Sequence, residues 1–362
     1  MKRSYLMLSL LVFLFSCKKD NNNNTNGREL ELVFEDNTYQ LTGVAVADNN
    51  RLFTNYPLWS DIHLHDVVEV NGLNASTPYP DMNWNSWEPG QNGENKWVCV
   101  QAVYRDDENF LWVVDPAAPK MGPVYQDAYK LVKINLSNNS IERSYPFDGI
   151  AGPNSYINDV RIDNERNVAY LTNSNEGGII VLDLNTGQGR QVLQDHYSVK
   201  SDPAYTFIID GKELRKNGQP VKIHSDGIAL TPDREWLYYK PLTDDKLYRI
   251  RTEHLRNASL SNAQLGALVE DLGHFTASDG MIFDSKGNLY LSDMQNYQIV
   301  MVKPDLRSQT FIQDDRLIWP DSFSIMGDYL YVSCSQINKQ PEYNEGVNKR
   351  TTPYTIYRVK LP

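Results

Sequence analysis

A short β-meander that recurs six times along the chain constrains the fold more tightly than any single residue. Its clearest copy occupies residues 224–250 (HSDGIALTPDREWLYYKPLTDDKLYRI). Ser225-Asp226-Gly227 leads into the apolar strand Ile228-Ala229-Leu230. Thr231-Pro232-Asp233-Arg234 then supplies a turn, with proline presetting φ and aspartate able to bond its own backbone. Trp236-Leu237-Tyr238-Tyr239 is a second strand, suited to a pleated and half-buried surface, and residues 246–250 form a third. Such a meander cannot bury both its faces alone. It needs copies of itself on either side.

With Gly227 as anchor, the copies start at Gly43 (GVAVADNNRLF), Gln101 (QAVYRDDENFLWVV), Asp159 (DVRIDNERNVAYLT), Gly280 (GMIFDSKGNLYLSD) and Phe323 (FSIMGDYLYVS). They are spaced roughly 40–70 residues apart and are carried by strands, which predicts an all-β chain folded as a six-bladed β-propeller. A ring of blades leaves raw edges unless it is latched. Residues 29–34 (ELELVF) alternate like a strand ahead of the first anchor, and 354–361 (YTIYRVKL) do so at the other end. The expectation is that the N-terminal strand completes the last blade. Three connections are long: 53–97 with Trp59, Trp84, Trp87 and Trp97, 194–223 with a hairpin at FIIDGKELRKNG, and the polar 336–352. The aromatic content of the first predicts an ordered cover over one face.

Residues 1–17 stand apart from the fold. Lys2 and Arg3 precede an apolar run over 6–15 that is too short to span a bilayer, and the run ends in Leu14-Phe15-Ser16-Cys17. This resembles a bacterial lipobox, with Cys17 as the lipidated first residue of the mature chain. Residues 18–27, with four consecutive asparagines, read as a solvated tether, leaving 28–362 for the propeller. Lys18 in place of an aspartate points to the outer membrane, so the chain is expected in the cell envelope, held by its lipid alone. The formal net charge is −11, and it is more negative once Lys2 and Arg3 are removed. That disfavours nucleic acid and anionic lipid surfaces. Cys99 and Cys334 fall in non-adjacent blades within apolar strands, which predicts buried free thiols. A monomer is expected.

Several segments carry a family resemblance. TGVAVADNNRLFTNYPLWS, YPDMNWNSW, VCVQAVYRDDENFLWVVD, HYSVKSDPAYTFIIDGKEL, LYRIRTEHLRN and WPDSFSIMGDYLYV, in this order, resemble the major royal jelly/yellow protein family over residues 41–335. The family is six-bladed, in agreement with the repeat count. More distantly, Asn158-Asp159 and Ser278-Asp279-Gly280 are similar to the strand openings of gluconolactonase/regucalcin propellers.

The residues just before each anchor begin the innermost strands, where the blades converge on the channel. They are Thr42, Val100, Asn158, Asp226, Asp279 and Ser322, with Asp159 and Asp321 adjacent. Asn158, Asp226 and Asp279 are candidate ligands for a hard cation such as Ca²⁺, which takes oxygen donors. Asp226, Asp279 and His224 are the candidate catalytic groups. Asn158, Asp159, Trp319, Asp321 and Trp84 are the candidate ligand contacts. Relatives imply three readings: binding of a small amine or aromatic molecule, a metal-dependent lactonase, or a dopachrome-type isomerase. The lactonase pattern places an acid in the first blade, where this chain has Thr42. No phosphate-binding loop, dinucleotide fingerprint or nucleophile elbow occurs, so no organic cofactor is expected. Binding of a small molecule is the favoured reading.

The anchor is directly testable. A Cys17→Ser protein should lose its acyl chains and leave the membrane fraction. Retention in that fraction, or a different mature N-terminus by mass spectrometry, overturns the lipoprotein reading.

Overall fold

In a computed structural model, which describes residues 27–362, six four-stranded antiparallel sheets surround a central axis. Cys17, the apolar leader and most of the tether lie outside the described residues. The first five blades run from an innermost strand outwards in sequence order. The fourth blade shows the pattern: Ser225–Leu230, Trp236–Pro241, Lys246–Arg251 and Glu270–His274. Its first three strands are the meander read from the sequence. The fourth follows two short helices, Thr252–Arg256 and Asn262–Gly266, the second held by a capping box from Ser261 to Gln264.

The last blade closes the ring. Leu30–Asp36 pairs with Tyr354–Lys360 beside Tyr329–Cys334 and Pro320–Met326, as the N-terminal latch requires. Leu30 and Phe34 are both buried, Leu30 against the fifth and sixth blades and Phe34 against the first and sixth. The latch is thus a core element as well as a capped edge.

The innermost strands pack so closely that some positions admit no side chain. A Cβ on Gly227 would sit 2.7 Å from the Asp279 carbonyl oxygen, and one on Gly280 equally near that of Asp321. Two anchor glycines therefore let neighbouring blades meet backbone to backbone. The innermost strands of three blades also carry β-bulges. Asn158-Asp159 lies between the pairs Ile157↔Asn173 and Val160↔Leu171, Asp226-Gly227 between Ser225↔Pro241 and Ile228↔Tyr239, and Asp321-Ser322 between Pro320↔Cys334 and Phe323↔Val332. In each, two residues face one on the partner strand. A bulge of this kind bends the strand and re-aims its side chains.

The stretch 53–97 is not a single loop. It contains two outer strands of the first blade, Val67–Gly72 and Ala75–Pro78. Cys99 and Cys334 are buried free thiols. Among the described residues no helix is long and apolar enough to cross a membrane.

Deleting residues 28–36 should expose a strand edge and unseat Leu30 and Phe34, lowering stability by several kcal/mol, as loss of core contacts does. A deletion variant that melts with the wild type would rule out the latch.

Candidate functional site

A cavity of about 100 Å³ opens at one end of the axis. Asn158, Asp226 and Asp279 form its polar part, each from the start of a different innermost strand, and Trp59, Tyr156, Trp319 and Tyr343 supply aromatic walls. Of the six equivalent positions, those three line the cavity. Thr42, Val100 and Ser322 do not, and Thr42 has other work: its hydroxyl donates to the Gln101 carbonyl (2.8 Å) and accepts from Asn55 Nδ2 (2.8 Å).

Asp226 and Asp279 are the chemical centre. Their carboxyls are hydrogen-bonded to each other, and both are buried. Two ionised carboxylates so placed repel, which favours a proton on one of them. Burial and the Asp279 charge push Asp226 well above the usual carboxylate range. Burial raises Asp279 as well, to about 7, against the stabilising hydrogen bonds from Trp319 and Asp226. Trp319 Nε1 donates to Asp279 Oδ2 at 2.7 Å. To do so Trp319, almost fully buried, holds a left-handed φ of 57°. For so bulky a residue that is strain of about 1–3 kcal/mol, of the kind that marks a functional site.

Asp321 is buried beside this pair, its Oδ2 has no hydrogen-bond partner, and burial followed by the charge of Asp279 raises it well above the usual range. Asp159 faces the Arg161 guanidinium at 3.7 Å, and burial outweighs that pairing to raise its carboxyl. Lys240 stands opposite the Asp226-Gly227 bulge, fully buried, and donates to the carbonyls of Pro241 and Asp244 (2.8 and 2.7 Å). Desolvation brings its ammonium down to about 8.

The aromatic wall is fixed by a polar chain. Trp59 Nε1 donates to the Tyr156 hydroxyl, which donates to Gln101 Oε1, both at 2.8 Å. Tyr343 comes from the turn Pro341–Tyr343 within the last polar connection. These contacts were not singled out from the sequence. Tyr156 stands two residues before Asn158, where His224 stands relative to Asp226, so the register gave a hint. Nothing local marks Tyr343.

Four expected site residues do not line the cavity: Asp159 and Asp321, placed above, and Trp84 and His224. Trp84 packs against Trp97 at a tilt, with ring centroids 4.5 Å apart, inside the core between the first two blades. His224 does not line the cavity; its Nδ1 accepts from the Ser201 amide at 3.0 Å, and burial, aided by Lys200, lowers its pKa. It is a neutral, loop-binding histidine, because its ring is turned to the connection before its strand. For Ca²⁺, the named donors Asn158, Asp226 and Asp279 offer fewer oxygens than the six to eight such an ion takes. One of them, Asp279 Oδ2, is held by Trp319. Among the described residues no group of three or more His, Cys, Asp or Glu side chains is arranged to hold a metal.

No curated protein matches the sequence significantly. Among solved structures, a luciferin-regenerating enzyme superposes with a TM-score of 0.56 at 13% identity, covering 92% of this chain and 95% of its own. A gluconolactonase from Xanthomonas campestris gives 0.55 at 11% identity, with 94% and 91% covered. The calcium-binding protein regucalcin from Agrobacterium tumefaciens gives 0.54 at 11%, with 90% and 92% covered. At such identities the likeness is one of fold. The family model described as major royal jelly protein matches residues 98–361, from the second blade to the last strand, and the chain belongs to the major royal jelly protein family.

Proposed function

We propose that this protein is an exported, membrane-anchored receptor that binds a small aromatic amine at the acidic mouth of its channel. The observation that carries the reading is the hydrogen-bonded pair Asp226 and Asp279 in a cavity walled by Trp59, Tyr156, Trp319 and Tyr343. An ammonium group can take the place of a proton there, and the faces of tryptophan and tyrosine attract both cations and rings. Ca²⁺ suits the site less well, since its donor set is incomplete. The second reading is a proton-transferring enzyme of the isomerase type, favoured by a carboxyl at Asp279 that titrates near neutrality.

The latch bears on orientation. Leu30 pairs with Val359, near the turn between Met326 and Tyr329, whereas Asp36 pairs with Tyr354, near the Pro320↔Cys334 end where Trp319 enters the cavity. The chain therefore leaves the propeller from the end opposite the cavity. A lipid on Cys17 would turn the cavity away from the membrane.

The pair sets a pH dependence with a definite sign. Asp279 titrates near 7 in the folded chain, against about 3.9 when unfolded. The folded state therefore holds extra protons over that interval. The stability this contributes is present below about pH 4 and is lost as pH rises through about 7. An ammonium ligand binds the ionised form, so its affinity climbs over the same range. Tyramine should raise Tm more at about pH 8 than at about pH 5.5, reaching roughly 2.7 kcal/mol at a hundredfold excess over Kd. Asp279→Asn should flatten the pH slope and remove the tyramine shift. Equal shifts at both pH values, or a shift that survives in Asp279→Asn, reject the amine site. A Tm raised by Ca²⁺ instead, and lost in both Asp226→Asn and Asp279→Asn, moves the assignment to a metal-dependent lactonase.

The tryptophans separate wall from core. Trp59→Ala should weaken tyramine about tenfold, the scale of a desolvated cation–π contact. Trp84→Ala should leave affinity alone while costing about 3–5 kcal/mol of stability. Isothermal titration and thermal melts of the two variants read the difference, and the reverse pattern would relocate the ligand.

A further inference from the structure

The axis has a second opening at the end opposite the aromatic cavity. All six innermost strands line it, through Val44, Tyr104, Arg161, Leu230, Phe283 and Phe323, around a space of about 190 Å³. Its walls are apolar, but two guanidiniums reach it, and neither is satisfied. Arg161 is 6% exposed; its terminal nitrogens donate to the carbonyls of Val160 and Met281, both at 2.6 Å, and its Nε has no acceptor. Its only carboxylate within ion-pair range among the described residues is Asp159, at 3.7 Å, which burial itself drives towards the neutral acid. Arg105 pairs through Nη2 with Asp48 at 2.7 Å, and its Nε is likewise buried without an acceptor.

The two carboxylates that share this mouth are engaged elsewhere. Asp106 accepts from Trp112 Nε1 (2.7 Å) and from the amides of Phe110 (2.9 Å) and Glu108 (3.0 Å). Asp107 pairs with Arg234 and Asn164. Ser324 Oγ accepts from the Val46 amide at 3.0 Å, which leaves its O–H free to donate into the cavity it lines. A buried guanidinium with a distant, protonation-prone partner is an uncompensated charge, and proteins rarely keep one without an anion to meet it.

We propose that this mouth is an anion site, distinct from the amine cavity, that takes the carboxylate of a small organic acid with an apolar body. The carboxylate meets the guanidinium charges of Arg161 and Arg105 and takes the Ser324 hydroxyl. The body packs on Phe283 and Phe323. A doubly charged, strongly hydrated anion such as phosphate is disfavoured by those apolar walls.

Benzoate is the probe. Titrated into the mature protein, it should bind, with intermolecular NOEs to the ring protons of Phe283 and Phe323. Arg161→Gln and Arg105→Gln should each weaken it at least tenfold. Should Arg161→Gln fail to fold, the outcome rests on Arg105→Gln, whose side chain is 20% exposed, and on the wild-type NOEs. The proposal is overturned by absence of binding at millimolar benzoate, by unchanged affinity in the folded Gln variants, or by displacement of benzoate by tyramine. Phosphate binding more tightly than benzoate would also overturn it.

Discussion

The ring depends on one repeated device, the hydroxyl that closes an innermost strand and then reaches across to the next blade. Thr172 accepts the amide of the bulged residue Asp159 (3.2 Å) and donates to the Asp226 carbonyl of the following blade (2.7 Å). Ser333 accepts the Ser322 amide (3.1 Å) and donates to the Thr42 carbonyl, so the same device joins the last blade to the first. Thr42 continues to the Gln101 carbonyl. A bulge leaves backbone groups unpaired among buried strands, where each orphan would cost about 1–3 kcal/mol. A side-chain hydroxyl can satisfy such a group and still carry a second bond. The bulges are thereby stable, and the side chains they re-aim become available for binding.

This explains why the acidic side chains gather where they do. At Asn158 and Asp226 the bulge turns a strand-opening residue towards the cavity, and at Asp279 a serine hydroxyl, that of Ser292, anchors the amide at 2.9 Å. Once gathered, the carboxyls cannot all ionise, because burial and mutual repulsion both favour protons. Trp319 adds strain to keep its indole N–H on Asp279. Desolvation and repulsion raise these carboxyls, and the indole N–H that Trp319 holds in a strained conformation works against them at Asp279.

Much of this was legible in the chain. The six meanders, the anchor register and the N-terminal latch follow from period-two alternation and turn chemistry, which local sequence dictates. Asn158, Asp226, Asp279 and Trp319 were placed by register alone. The misplacements have physical causes. Trp84 reads as a cover only if 53–97 is one loop, whereas Val67–Gly72 is a half-exposed outer strand whose alternation is weak. His224 shares a register with Tyr156, yet one ring enters the channel region and the other turns to Ser201. That choice is made by the connection packed outside the strand. Tyr343 reaches the cavity from over a hundred residues beyond Asp226, through a turn with no strand pattern to locate it. Unpartnered nitrogens, such as those of Arg105 and Arg161, are invisible until burial is known.

The charges along the axis form an order that no single blade encodes. Acids crowd the aromatic mouth, with buried Lys240 behind them, where its ammonium favours the ionised Asp279 and they oppose the lowering of its own pKa. Deeper in, Asp159 meets Arg161 at 3.7 Å, too far for a full hydrogen bond, and beyond that pair the guanidiniums of Arg161 and Arg105 each keep an unpartnered Nε. An intervening strong salt bridge would have screened the two ends from each other. A loose one, with its acid pushed towards neutrality, leaves the positive charge of Arg161 felt in both directions. On the proposal made above, that charge is what an anion at the lower mouth would meet.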